Sequence, residues 1–382
     1  MAHNLVSVHC RLCADPLPPL NWDLLGMPKS AQNFPSAQEL EEDFPLHLDI
    51  RQCAGCGLVQ LANGPVSYYR EVIRASGVSV EMAAFRKEQF ATFIREFDLI
   101  NRRGIEIGCG NGEYLNLLVE QGLHMIGVEY SENAVQNCRG KGFDVRRQFL
   151  SDPEVVIQGG EYSACFMFNF LEHLPAPNKV LQGIAANLSE EGVGIIEVPN
   201  FDMILRSSMF TEICSDHLLY FTRDTFQQIL SRNGFEVLEC NSVWQDYILS
   251  ARVKKRPLLP VDGFKNAQHR LTKSLADYLQ RFDSGSVVVW GAGHQALAVM
   301  AAGDLKGRIR YVIDSADFKQ GKLTPATHIP IVHPDTLNSD PPSAIIVMAA
   351  AYSDEIVNII RRTHGNQFDV AVLQGQELIE NY

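Results

Sequence analysis

Short apolar runs, each bounded by a glycine turn or by a stretch with helical spacing, recur along the chain from about residue 80 onward. Runs of this kind mark strands buried on both faces of a parallel sheet. Strands are predicted just ahead of Gly108, over Met125–Val128, Ser163–Phe170 and Gly194–Val198, with two more within Phe235–Val253. An amphipathic helix is predicted over Glu113–Gln121 and another over Thr222–Asn233, with Thr222 as its cap. A second series follows: a helix over Phe264–Arg281, then strands over Ser286–Trp290, Arg308–Ile313 and Ala344–Ala349. Alternation of strand and helix predicts an α/β architecture. Residues 1–79 show neither period, and the Lys- and Pro-rich stretch Lys254–Pro260 interrupts the two series. Three parts are therefore expected: 1–79, 80–253 and 254–382.

The first part carries two CxxC pairs, Cys10/Cys13 and Cys53/Cys56. Four thiolates in two such knuckles can close tetrahedrally on zinc, and four sulfur ligands leave no open position, so the metal is expected to be structural. The connection between the pairs, 40 positions long, carries Pro16, Pro18, Pro19, Pro28 and Pro35 and is predicted to be an irregular insertion. Such a segment gains stability from a metal. The other five of the nine cysteines are scattered and read as small apolar filler.

The turn Glu106-Ile-Gly108-Cys-Gly110-Asn-Gly112 is ExGxGxG, set between a strand and a helix. Glycines there let the main chain approach a ligand. The next strand ends in Glu129, placed to accept both hydroxyls of a ribose. A dinucleotide fingerprint would be GxGxxG; here the third glycine comes one residue early and a carboxylate, Glu106, precedes the first. That carboxylate repels a pyrophosphate and tolerates a sulfonium beside a zwitterionic amino acid. The pattern resembles motif I of the class I S-adenosylmethionine-dependent methyltransferases, which implies a Rossmann-like core over 80–253 with Gly108, Gly110, Gly112 and Glu129 around the cofactor. Asn169 and Glu172-His173-Leu174 follow the Ser163–Phe170 strand, at the sheet edge where α/β proteins bind ligands. Pro199-Asn200 follow the next strand.

In the third part, Gly291-Ala-Gly293-His-Gln-Ala296 is GxGxxA between a strand and a helix, and the following strand ends in Asp314. This reads as a second Rossmann-like unit. Lys319-Gln320-Gly321 lies just beyond and is expected to form a loop facing a phosphate or diphosphate.

A CxxC…CxxC module, an ExGxGxG core and a C-terminal GxG unit with DxxxxKQG, in that order, resemble the sugar C-methyltransferase family that includes the deoxysugar 3-C-methyltransferases. The resemblance covers essentially the whole chain. It implies a nucleotide-diphosphate 4-keto-6-deoxy sugar as substrate, S-adenosylmethionine in the central part, the sugar nucleotide between the central and C-terminal parts, and zinc in the module. The family's Tyr-His-Glu-His then Tyr-Phe stretch falls on Cys214-Ser215-Asp216-His217 and Tyr220-Phe221. His217, Tyr220 and Phe221 match, Asp216 shortens the acid, and Cys214 and Ser215 depart. The family's Asn and His at a four-residue spacing fall on Asn169 and His173, and its tyrosine ahead of the core on Tyr68 or Tyr69. A carbon beside a ketone must lose a proton before it can attack a methyl group. His217 is the expected base, since imidazole titrates near neutrality, with Asp216 or another acid orienting it and His173 or a tyrosine holding the enolate oxygen. Tyr220, Asn200, Gly291, Gly293, Lys319 and Gln320 are the expected substrate contacts.

Because Cys214 and Ser215 depart from the family pattern, an O- or N-methyltransferase of a sugar or other small metabolite on the same scaffold is the alternative. An NAD-linked oxidoreductase would need a hydride site beside GAGHQA, and no such constellation accompanies it. Lys+Arg 33 against Asp+Glu 45 gives a net charge of −12, a poor platform for a phosphate backbone, so neither a zinc-ribbon RNA binder nor another nucleic-acid partner is expected. A non-catalytic scaffold has no need of both ExGxGxG and Glu129. The N-terminus lacks a basic stretch followed by an apolar run, and the chain has no run of about 18 apolar residues. A cytoplasmic location and no membrane span are therefore expected.

Overall fold

The computed structural model describes residues 8–71, 78–380 and 382. The chain forms two compact units, Met1–Pro257 and Leu258–Tyr382. Among the described residues no helix is long and apolar enough to cross a membrane.

The first unit opens with strands β1 (Pro19–Met27), β2 (Leu46–Gln52) and β3 (Val59–Leu61). β1 and β2 pair antiparallel, as do β2 and β3. The connection between the cysteine pairs is thus not irregular: it carries β1 and β2. Leu48 and Ile50 of β2, at period-2 spacing, are fully buried, which is what drives this pairing despite the prolines.

The rest of the unit comprises α1 (Val80–Glu96), β4 (Arg103–Ile107), α2 (Glu113–Glu120), β5 (His124–Glu129), α3 (Glu132–Gly140), β6 (Val145–Arg147), β7 (Tyr162–Phe168), α4 (Pro177–Asn187), β8 (Leu188–Pro199), α5 (Phe201–Arg206), β9 (Leu219–Tyr220), α6 (Arg223–Arg232), β10 (Phe235–Val243) and β11 (Ile248–Lys255). Seven strands form one sheet in the order β10-β11-β8-β7-β4-β5-β6. β11 runs antiparallel to both its neighbours, and the other pairs are parallel. This is the class I methyltransferase fold, a mixed α/β sheet. Lys254 and Lys255 belong to β11, and the two compact units divide at Pro257.

Two features tie the unit together. β9 pairs with β3, setting Val59 opposite Tyr220 and Gln60 opposite Leu219, so the module's four-stranded sheet is closed by a strand of the central part. α1 is fixed by Arg86, whose guanidinium is wholly buried against Glu197 of β8 at 2.5 Å, while Gln89 donates to the same carboxylate at 2.8 Å.

The second unit comprises α7 (Asp262–Leu279), β12 (Val287–Trp290), α8 (His294–Ala302), β13 (Ile309–Ile313), β14 (Ile331–Val332), α9 (Thr336–Ser339), β15 (Ala344–Val347), α10 (Ser353–His364), β16 (Asp369–Gln374) and β17 (Glu377–Ile379). Its sheet runs β14-β13-β12-β15-β16-β17, parallel except for the last pair. It is a Rossmann-like sheet built on fully buried β-branched runs such as Val287–Val289 and Ala344–Val347.

Candidate active site

The ExGxGxG loop follows β4 and opens α2. Gly108, Gly110 and Gly112 all have left-handed backbones, with φ of 70°, 52° and 82°. At Gly108 a Cβ would also stand 3.0 Å from the ring of Phe170, so only glycine lets the loop turn there. Glu129 is buried at the end of β5. Its carboxylate accepts the N–H groups of Gly110 at 2.9 Å, Tyr130 at 2.8 Å and Ser131 at 2.9 Å. Burial raises its pKa, opposed by these three donors. Glu106 is buried on β4 beneath the loop. Beside Glu129 lies a slot bounded by Tyr130, Phe149, Leu150 and Phe170. The guanidinium of Arg70 stands within 5.1–5.5 Å of the ring centres of Tyr69, Tyr130 and Phe149 there.

A cavity of about 260 Å³ opens at the carboxyl edge of the sheet, lined by the Gly108–Asn111 loop, Asn169, Glu172, His173, His217 and Tyr247. Asn169 adopts a left-handed turn, φ 48°, at the end of β7. His173 and His217 meet edge to face, their ring centres 4.7 Å apart. The Nδ1–H of His173 donates to the Asp216 carbonyl at 2.8 Å. That fixes the tautomer and leaves Nε2 with a lone pair, 3.8 Å from Oε1 of Glu172. Glu172 is 1% exposed, and its Oε2 has no hydrogen-bond partner.

Burial dominates the electrostatics of this group. It pushes the Glu172 carboxyl up to about 8 and lowers His173 to about 4. It lowers His217 to about 3, with the neighbouring His173 adding to the effect. Desolvation thus favours the neutral imidazole at His217. Asp216 does not orient His217. Its carboxylate accepts the Tyr68 hydroxyl at 2.8 and 3.0 Å and the Ala31 N–H at 2.7 Å. The structure thus distinguishes the two tyrosines. Tyr68 meets Asp216, whereas Tyr69 packs edge to face on Phe149 and accepts from Arg70 Nε.

Two expected substrate contacts are engaged within the fold. The Tyr220 hydroxyl accepts the Cys214 N–H and donates to the Cys214 carbonyl, each at 3.1 Å, closing the 214–220 turn. The Asn200 side chain accepts the Asp202 N–H as the cap of α5 and donates to Asp246, so its amide is committed. In the second unit Gly291 has φ 117°, and a Cβ there would lie 2.4 Å from the Met348 carbonyl, so close packing requires this glycine. Gly293 opens α8 with clear space around it. Lys319 is ion-paired to Asp314 at 2.8 Å, and Gln320 donates to the Asp314 carbonyl. The lysine's charge is therefore taken up within the loop that was expected to meet a phosphate.

Cys10, Cys13, Cys53 and Cys56 bring their sulfurs within 4.8 Å of one another. The closest pairs, Cys10–Cys56 at 3.5 Å and Cys13–Cys53 at 3.4 Å, are too long for a disulfide. They are near the edge of a tetrahedron about an ion roughly 2.3 Å from each sulfur. N–H groups of Leu12 and Cys56 and the Gln60 amide point at Cys10 and Cys53 sulfurs, donors that favour thiolates. The donor set fits a closed metal site held by these four residues.

Residues 81–240 match the methyltransferase domain family, and residues 254–372 match the C-methyltransferase C-terminal domain. The protein is an S-adenosylmethionine-dependent methyltransferase. It is similar to the C-methyltransferase NovU of Streptomyces niveus, with 24% identity over 66% of this chain and 68% of that one. It is also similar to a ubiquinone biosynthesis O-methyltransferase of Methylococcus capsulatus, with 26% identity over 32% of this chain and about half, 52%, of that one. Among solved structures, an S-adenosylmethionine-dependent methyltransferase from Clostridium acetobutylicum aligns over 45% of this chain and 92% of its own, at 11% identity and a TM-score of 0.38. The two domain matches and NovU support a place among the C-methyltransferases.

Glu172, Arg70 and Tyr247 were missed as site residues. Glu172 stands beside His173 in the sequence and could have been singled out with it. Nothing local marks Arg70 or Tyr247.

Proposed function

We propose that this methyltransferase acts on carbon, adding a methyl group next to the ketone of a nucleotide-linked 4-keto-6-deoxy sugar through an enolate. The observation that carries this reading is the grouping of Glu172, His173 and His217 at one end of the cavity that the glycine loop also lines. An oxygen or nitrogen acceptor needs one base and alignment. A carbon acid needs a proton acceptor and also an electrophile for the oxygen that becomes negative. A three-member polar end supplies both, and the C-methyltransferase C-terminal domain supports the same choice.

In this reading Glu129 takes the cofactor's ribose, while Glu106, Gly108, Gly110, Gly112 and Asn169 surround its amino-acid end. Tyr68 and Asp216 hold the chain that carries His217. The enolate carbon forms the new carbon–carbon bond as the methyl–sulfur pair returns to sulfur, leaving a ketone, a neutral thioether and one released proton. Alignment of carbon, methyl and sulfur does most of the work of that step. The four cysteines hold a structural zinc ion.

The test is proton exchange without methyl transfer. With S-adenosylhomocysteine bound in deuterated solvent, a nucleotide 4-keto-6-deoxy sugar should gain deuterium beside the ketone. No exchange for any keto sugar, alongside methylation of a hydroxyl or amine acceptor, would overturn the carbon reading in favour of the O- or N-methyltransferase.

A further inference from the structure

We propose that Glu172, His173 and His217 form a second metal site, one that takes a divalent transition-metal ion. Three observations converge. First, the Nδ1–H of His173 is spent on a main-chain carbonyl at 2.8 Å, the arrangement that presents the other nitrogen's lone pair to a metal. Second, that lone pair faces the Glu172 carboxylate across 3.8 Å. The gap exceeds a hydrogen bond, whereas two ligands each about 2.0–2.2 Å from one ion stand roughly 3–4 Å apart. Third, Oε2 of Glu172 has no partner though the side chain is fully buried, and His217, its ring edge to face with that of His173, lines the cavity beside it. A buried carboxyl oxygen left unsatisfied is costly, and an ion satisfies it. All three ligand atoms lie within 4.8 Å of one another.

Two imidazoles and a carboxylate suit iron(II), manganese, cobalt, nickel or zinc rather than magnesium or calcium, and leave coordination positions open. The site lies on the wall of the cavity that the Gly108–Asn111 loop shares. An ion there would act as a Lewis acid on an acceptor's carbonyl oxygen, acidifying the adjacent C–H and holding the enolate oxygen. This chemistry rests on the keto-acceptor reading: with the ion bound, Glu172, His173 and His217 serve the electrophile's part as its ligands, and water in the cavity takes the proton that the ion-free group would itself accept. The site differs in kind from the four-cysteine cluster, which is all sulfur and closed.

The test is a Co²⁺ titration of the zinc-containing protein, followed by metal content and optical spectrum. We expect one Co²⁺ per chain in addition to the zinc, with a ligand-field spectrum and no sulfur-to-cobalt charge transfer. Glu172→Gln and His217→Ala should each weaken that binding about 100-fold or more while zinc content and melting temperature stay those of the parent. Absence of a second ion, or equal affinity in both variants, would overturn the site. The two readings fail separately. A second ion bound through these residues with no exchange on any keto sugar leaves the metal site standing and removes the substrate. Exchange at full rate in protein holding only its zinc removes the ion's part in the chemistry and leaves the substrate.

Discussion

The ring of His173 is anchored by the main chain of Asp216, Nδ1 to carbonyl oxygen at 2.8 Å, although the two lie 43 residues apart. The same Asp216 is gripped through its side chain by Tyr68 and Ala31, 148 and 185 residues away in sequence. The module's hydroxyl and amide therefore set the position of the loop that carries His217. Tyr68→Phe removes the hydroxyl and leaves only the Ala31 N–H and a weak Ser215 contact on the carboxylate. A hydrogen bond to a charged group contributes about 1.5–3 kcal/mol. The variant is expected to bind S-adenosylmethionine normally and to lose roughly tenfold or more in kcat. A KM and kcat comparison checks it; unchanged kcat would contradict the role.

The Glu129 carboxylate accepts three N–H groups, one from Gly110 of the glycine loop and two from Tyr130 and Ser131 after β5. Glu129→Ala leaves those donors unpaired and removes the carboxylate proposed to hold the ribose. Affinity for S-adenosylmethionine, read by calorimetry, should fall by about 2–4 kcal/mol, the loss of one or two charged hydrogen bonds, and Glu129→Gln should fall less.

Arg86 and Glu197 are both fully buried. Removing one partner of a buried pair costs about 3–5 kcal/mol, because the other charge is left without compensation. Arg86→Ala should lower the unfolding free energy of the first unit by that order, whereas replacing both residues with apolar ones of similar volume should recover much of it. Urea titration of the single and double variants distinguishes the cases.

The cysteine cluster hangs on β3, and β3 pairs with β9, which leads directly from His217. If the cluster holds zinc as proposed, Cys53→Ser lowers the zinc content of the purified protein and, through β9, reduces methyl transfer as well as melting temperature. A variant that keeps its activity after losing zinc would show that the strand pairing does not transmit the loss.

In the second unit burial alone would raise the Asp314 carboxyl, but Lys319 and the N–H groups of Ala316 and Ala292 outweigh it and hold the pKa below the ordinary carboxylate value. A lowered folded-state pKa contributes stability above the unfolded value, near 3.9, that is lost as pH falls through the folded one. Lys319→Met should therefore shrink the acid-dependent part of stability below about pH 4. Denaturant midpoints at neutral and acidic pH read this out.

What the sequence made legible is local. The ExGxGxG turn, Glu129 at the end of the next strand and the paired CxxC knuckles are each written in a few adjacent residues, because backbone approach, ribose binding and metal closure impose spacing. What it hid is non-local or depends on burial. The prolines of the insertion outweighed the alternation of Leu46, Leu48 and Ile50, so β2 was missed. β9 is two residues long and takes its identity from β3. The partners of Asn200 and Tyr220, Asp246 and the Cys214 main chain, are set by the fold. Asp216 looked like an orienting acid for its neighbour, yet its partners come from the module. The isolation of Glu172 follows from its burial, which periodicity at the end of β7 does not reveal.

The most direct test of the central claim is product analysis after incubation with methyl-labelled S-adenosylmethionine and a panel of nucleotide 4-keto-6-deoxy sugars. The account predicts one labelled methyl bonded to the carbon beside the ketone, with loss of that carbon's hydrogen and loss of the product in His217→Ala. Labelled methyl found only on oxygen or nitrogen, or no transfer to any keto sugar by protein that binds the cofactor, would contradict it.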